Sequence, residues 1–151
     1  MNQTKLKPIP RVFVDADVLF AGSASPSEHS ASQVVLRMAE ITLIEAFISE
    51  QVFTEVERNL AAKLPQALPN FRHLVARCLQ IVPNPTIELI KAHQGKAEPK
   101  DLPILVAAAR EKCNWLVTFN LAHYQPGLKE VSVLKPGSFI LLVRDLLLQL
   151  T

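Results

Sequence analysis

Cysteine is scarce in this chain of 151 residues: only Cys78 and Cys113 occur, and neither belongs to a CxxC pair. That excludes a disulfide framework and a thiolate zinc site. Two reduced, buried thiols suit a cytoplasmic protein. No run of about 18 apolar residues exists, so no membrane span is expected. The closest stretch, Phe139 to Leu150, is broken by Arg144 and Asp145. Excess charge is absent too: the net charge is +2 with 16 Lys and Arg residues, too little to steer nucleic acid by charge alone. Aspartate is also rare, with only Asp15, Asp17, Asp101 and Asp145. What is abundant is apolar surface. A 49% hydrophobic content argues for one domain with a substantial core and against disorder.

Strands and helices alternate along the chain. Met1 to Pro10, polar and without a signal-peptide core, reads as a flexible arm, leaving residues 11–151 as the folded domain. A strand is predicted over Arg11 to Asp15, followed by a loop with Gly22, Ser23, Ser25, Pro26 and Ser27. Helical spacing follows at Val34, Val35 and Met38. Leu43 to Ser49 reads as a second strand, and Ser49 caps a helix running from Glu50 to Leu64, where Pro65 stops it. Phe71, Leu74, Val75, Cys78 and Leu79 form a helical stripe. Thr86 caps a short helix, Asp101 precedes another over Ile104 to Lys112, Trp115 to Phe119 and Val131 to Leu134 read as strands, and a final helix starts at Ser138. This order predicts an α/β domain with a central, mostly parallel sheet flanked by helices.

Three of the four aspartates fall at element ends. Asp15 and Asp17 interrupt the apolar run Val12 to Phe20. A run this apolar suits a strand buried on both faces, and carboxylates at its end would face the crevice where parallel sheets bind ligands. On one strand face they would stand about 7 Å apart and repel each other unless a cation intervened. Hard oxygen donors of this kind suit Mg²⁺ or Mn²⁺. Each candidate also has an ordinary explanation. Asp15 and Asp17 could be solvated at the strand end. Asp101 could cap its helix. Glu55 could lie on a solvated helix face, paired with Arg58. Asn120 could shape a turn, and His123 could be structural.

Four segments in order resemble the PIN-domain family of nucleases: Val14-Asp15-Ala16-Asp17-Val18-Leu19, then Ile48-Ser49-Glu50 through Glu55-Val56, then Pro99-Lys100-Asp101 through Ala109, then Leu116-Val117-Thr118-Phe119-Asn120. The resemblance spans about Arg11 to Phe139. It implies a PIN-like domain acting as a metal-dependent endoribonuclease, with Asp15, Glu55, Asp101 and Asn120 in the catalytic site. Asp15, Glu55 and Asp101 would hold Mg²⁺ or Mn²⁺, with Asp17 and Thr118 behind them. Asn120 stands where the family usually carries Asp, so it offers an amide oxygen and no charge. Lys100 and His123 would be candidates to contact phosphate. Many relatives are toxins silenced by a small antitoxin protein. The leucine-rich tail from Ser138 to Leu150, apolar on more than one helical face, is therefore expected to pack against its own domain, a second copy in a homodimer, or such a partner. Two other readings compete. One is a PIN-like module that binds RNA or a partner without cleaving. The other is a haloacid-dehalogenase-type phosphohydrolase, which Asp15-Ala16-Asp17-Val18 also resembles, with Asp15 as nucleophile and Asp17 as acid/base. No late pair of acids supports the latter.

Overall fold

In the computed structural model, residues 9–25, 27 and 30–150 are described, so most of the expected N-terminal arm lies outside them. Five strands form one sheet: β1 (Arg11–Val14), β2 (Glu45–Ser49), β3 (Leu79–Val82), β4 (Trp115–Val117) and β5 (Ser132–Leu134). Their order is β3-β2-β1-β4-β5, and every pairing is parallel. The central strand is apolar because it is covered on both faces: Val12, Phe13 and Val14 are fully buried. Seven α-helices occur among the described residues: α1 (Ala16–Ala24), α2 (Ala31–Glu40), α3 (Glu50–Lys63), α4 (Leu68–Cys78), α5 (Ile87–Ala92), α6 (Leu102–Arg110) and α7 (Pro136–Leu148). None of them is long and apolar enough to cross a membrane.

The predicted loop after β1 is instead helix α1. Gly22 and Ser23 fall inside this helix and are buried, and that is why they mislead. A side chain at Gly22 would meet Leu36 Cδ1 at 2.7 Å, so glycine here permits the close approach of α1 to α2. Ser23 turns its hydroxyl inward and donates to the Leu19 carbonyl at 2.8 Å. The apolar stripe expected to run through Leu79 splits at Cys78, and Leu79–Val82 forms edge strand β3. Strand β4 ends at Val117, two residues earlier than its apolar run suggests.

Helix α7 covers the core with Phe139 and Val143, both buried, while Leu141 and Leu148 on its other side, and Leu147 in its last turn, stay exposed. At the amino ends of the strands, Arg11 ties neighbouring segments together. It pairs with Glu45 at 2.8 Å, donates twice to the Glu111 carbonyl, and lies 4.4 Å over the Phe47 ring. The carboxyl ends of the strands carry Asp15 and Asp17.

Phe13, fully buried in the central strand, sets the load on this core. Phe13→Ala is expected to lower the unfolding free energy by about 3–5 kcal/mol, read as a fall in the urea midpoint at unchanged slope.

Candidate active site

The sheet reverses its order of connection at β1. The chain builds outward through β2 and β3, then returns to place β4 on the other side of β1. Such a switch point opens a crevice beyond the carboxyl ends of the two strands. Asp15 follows β1 directly and Thr118 follows β4. Backbone bonding carries both past the strand ends: the Asp15 amide donates to the Val117 carbonyl and the Thr118 amide to the Leu134 carbonyl, each at 3.0 Å.

Asp15 is not on a strand face with Asp17, as the apolar run suggests. It is the N-cap of α1, and Asp17 lies in the first helical turn, where the helix dipole favours negative charge. Asp15 is 7% exposed, and its carboxylate is gripped by three donors. The Ala16 amide reaches Oδ1 at 2.7 Å; the Thr118 hydroxyl at 2.8 Å and the Tyr124 hydroxyl at 2.7 Å reach Oδ2. Burial, with the negative charge of Asp15 beside it, pushes the Tyr124 phenol far up, which keeps it a donor. Tyr124 did not stand out in the sequence. It lies on a short 3-10 turn, Leu121–Tyr124, and only its place as the one tyrosine of a well-packed chain hints at it.

Asp17 uses one oxygen for the turn after β4. Its Oδ2 accepts from the Phe119 amide at 3.0 Å and from Asn120 Nδ2 at 3.2 Å, and lies 3.3 Å from the Thr118 hydroxyl. Its other oxygen, Oδ1, is buried with no hydrogen-bond partner. Burial first, and the neighbouring Asp15 charge second, raise the Asp17 pKa to about 6. Asn120 is exposed and bound to Asp17 through its amide nitrogen.

Glu55 and Asp101 reach the same mouth from α3 and from the start of α6. Glu55 is half-buried. Burial raises its pKa and repulsion from Asp15 and Asp101 adds to the effect, while Lys100, 3.9 Å away, opposes it. Its partner is thus Lys100 rather than Arg58. Asp101 is 7% exposed and occupies the N-cap position of α6 without capping it. His123 explains why. With a proton on Nδ1, the imidazole donates to Asp101 Oδ2 at 3.0 Å. Burial and the Asp15 charge raise the Asp101 pKa, against the pull of His123 and Lys100. The Glu98 amide, bonded to the His123 carbonyl at 2.9 Å, docks the two segments together. Glu98, Asp101 and His123 thereby offer donor atoms within 4.8 Å of one another, a cluster in which the sequence pointed only to Asp101 and His123.

The structure therefore gathers Asp15, Asp17, Thr118 and Asn120 into one hydrogen-bonded group and brings Glu55 and Asp101 within its electrostatic reach. Over residues 11–122 the sequence matches the PIN domain. The chain belongs to the PIN-domain family. The match sets aside the haloacid-dehalogenase reading. This PIN domain matches no curated protein by sequence. Among solved structures its fold is similar to that of VapBC2 from Rickettsia felis, crystallised with a DNA fragment from their promoter. The TM-score is 0.60 at 16% identity, covering 82% of this PIN domain and 98% of the other chain. At that identity the likeness concerns the fold.

The raised pKa values of Asp17, Glu55 and Asp101 have one sign for stability. A carboxyl whose folded pKa is raised contributes stability below its unfolded pKa, and that contribution is lost as pH rises through the folded value. For Asp17 the loss falls between about pH 4, the ordinary carboxylate value, and about 6. In chelator, the unfolding midpoint of the unaltered chain is expected to fall relative to that of Asp17→Asn across this interval. Parallel curves for the two proteins would mean that Asp17 titrates normally.

Proposed function

We propose that this PIN domain is an endoribonuclease dependent on Mg²⁺ or Mn²⁺, hydrolysing RNA phosphodiester bonds to leave a 3′-hydroxyl and a 5′-phosphate. The observation that carries the reading is the buried, partnerless Oδ1 of Asp17 among carboxylates that repel one another. A buried polar atom without a partner costs about 1–3 kcal/mol, and like charges add to that cost. The donor set fits a hard divalent cation. It offers carboxylate oxygens from Asp15, Glu55 and Asp101, with the unpartnered Asp17 Oδ1 and the amide oxygen of Asn120 beside them.

In this reading a divalent cation, when bound, polarises the attacking water and offsets charge developing on the scissile phosphate. Asp15, Glu55 and Asp101 hold it. Thr118 and Tyr124 hold the Asp15 carboxylate aimed. Glu55, half-buried with a raised pKa, orients the water and takes its proton. Asp17 braces the turn that presents Asn120. Lys100 reaches Glu55 across an exposed ammonium and is free to turn toward a phosphate. His123 is committed to Asp101 and serves it as an orienting group.

Asp15→Asn is expected to abolish Mn²⁺-dependent RNA cleavage while the chain stays folded by circular dichroism. Mn²⁺ at a hundredfold excess over Kd should stabilise the unaltered chain by about 2.7 kcal/mol, seen as a higher Tm, and Asp15→Asn should lose that gain. Asn120→Asp, by adding a charge, should bind Mn²⁺ more tightly in calorimetry. Full cleavage by Asp15→Asn would overturn the assignment of the site, and a Tm indifferent to Mn²⁺ with no cleavage by the unaltered chain would leave instead a module that binds without cleaving.

The same reading makes the chain the toxin of a toxin–antitoxin pair acting in the cytoplasm. The family resemblance supports it, and so does a fold neighbour that is itself a complex, VapBC2. A groove of about 510 Å³ at the amino end of the sheet, lined by Pro10, Trp115, Val143, Leu146, Leu147 and Leu150, offers apolar surface for a protein contact. It lies at the opposite end of the strands from the acidic mouth, so an occupant there would leave that mouth open. A homodimer formed through α7 is expected to show twice the chain mass in light scattering, reverting to the single-chain mass in Leu147→Glu/Leu150→Glu. A single-chain mass for the unaltered protein would end the dimer reading.

A further inference from the structure

Seven phenylalanines, one tryptophan and one tyrosine make up the aromatic residues, and eight of these nine are buried or half-buried. Phe119 alone is exposed, at 43%. It stands on the turn between Thr118 and Asn120, at the lip of the acidic mouth.

That turn is pinned at every residue. The Thr118 amide donates to the Leu134 carbonyl, the Phe119 amide to Asp17 Oδ2, and the Asn120 amide to the Thr118 hydroxyl, at 3.0, 3.0 and 3.1 Å. The backbone under the ring is therefore fixed by the same carboxylate that braces the site. A loop built only to join β4 to the next turn would not need an aromatic ring in water, since burying such a ring is favourable by a few kcal/mol.

The strand register adds a second observation. Val117 pairs with Leu134, which sets the exposed Lys135 level with Thr118. Lys135 precedes α7, whose first amides receive no side-chain cap, and Gly137 there faces open space. An exposed aromatic ring thus stands beside the carboxylates, and the exposed Lys135 follows the neighbouring strand β5. A π-face takes a nucleobase, and an ammonium takes the phosphate that follows it.

We propose that Phe119 is a stacking platform for one unpaired nucleobase next to the scissile phosphate, with Lys135 on the adjoining phosphate. The assignment rests on the nuclease reading above and gives Phe119 the task of holding one unpaired base, because a base inside a duplex has both faces occupied by its neighbours. Stacking accepts any base, so the platform selects for strandedness rather than sequence. The ring carries no information about the sugar, and RNA and DNA strands separate only in the measurement.

The test uses the full chain in Ca²⁺ with fluorescein-labelled octaadenylate, its deoxy counterpart, and a blunt RNA duplex of equal length. Phe119→Ala and Phe119→Leu should each weaken binding of the single strand about 5- to 150-fold, with little change for the duplex. Phe119→Trp should keep the affinity, and its added indole fluorescence should be quenched by the octamer. Lys135→Gln should weaken binding and lower its salt dependence. Tight binding of duplex by the unaltered chain, equal affinity in Phe119→Ala, or leucine serving as well as phenylalanine would each overturn the platform. If Phe119→Ala binds normally while Mn²⁺-dependent cleavage persists, the platform alone falls. If the unaltered chain neither binds the octamer nor cleaves RNA, the nuclease reading falls with it.

Discussion

The Asp15 carboxylate is the constraint on which this molecule's functional end is built. It sits at the end of the central strand, 7% exposed, where an unpaired charge would be costly. Three donors hold it, from α1, from the residue after β4, and from the 3-10 turn beyond. Hydrogen bonds to an ionised acceptor are short and strong, and these measure 2.7–2.8 Å. Because they come from segments about a hundred residues apart in sequence, they do more than solvate a charge. They fix where the crevice opens and which residues line it.

Around that fixed charge the fold places others of the same sign. Burial and mutual repulsion raise the pKa values of Asp17, Glu55 and Asp101, and the basic groups nearby offset this only in part. Lys100 is exposed and 3.9 Å from Glu55, while His123 is committed to Asp101. A protein selected for stability alone would not collect acids this way. Local rules of charge and burial are broken where function requires it and compensated elsewhere. The compensation is visible in the apolar central strand and in the Arg11 clamp at the other end of the sheet.

Parallel topology explains why the two ends differ. Strands that all point one way deliver their following residues to one edge, and the reversal at β1 leaves a gap there. Asp15, Thr118 and the start of α3 reach this edge because of strand order. The amino ends meet α7 and an apolar groove. The acidic residues and the apolar groove are therefore separated along the strand axis.

The sequence by itself determined the alternation of strands and helices, the apolar central strand, and the order of acids that marks the PIN family. These are local or linear properties, carried by periodicity, by capping residues such as Ser49 and Thr86, and by rare aspartates at element ends. Small residues hid α1, because Gly22 reads as a breaker until Leu36 is seen packed against it. The partners were hidden as well. Nothing linear links Tyr124 to Asp15, His123 to Asp101, or Asp17 to Asn120, since these bonds span 22 to 109 residues. Only folding decides them: a hydrogen bond needs atoms within about 3 Å, and distance in space follows from strand order and helix packing.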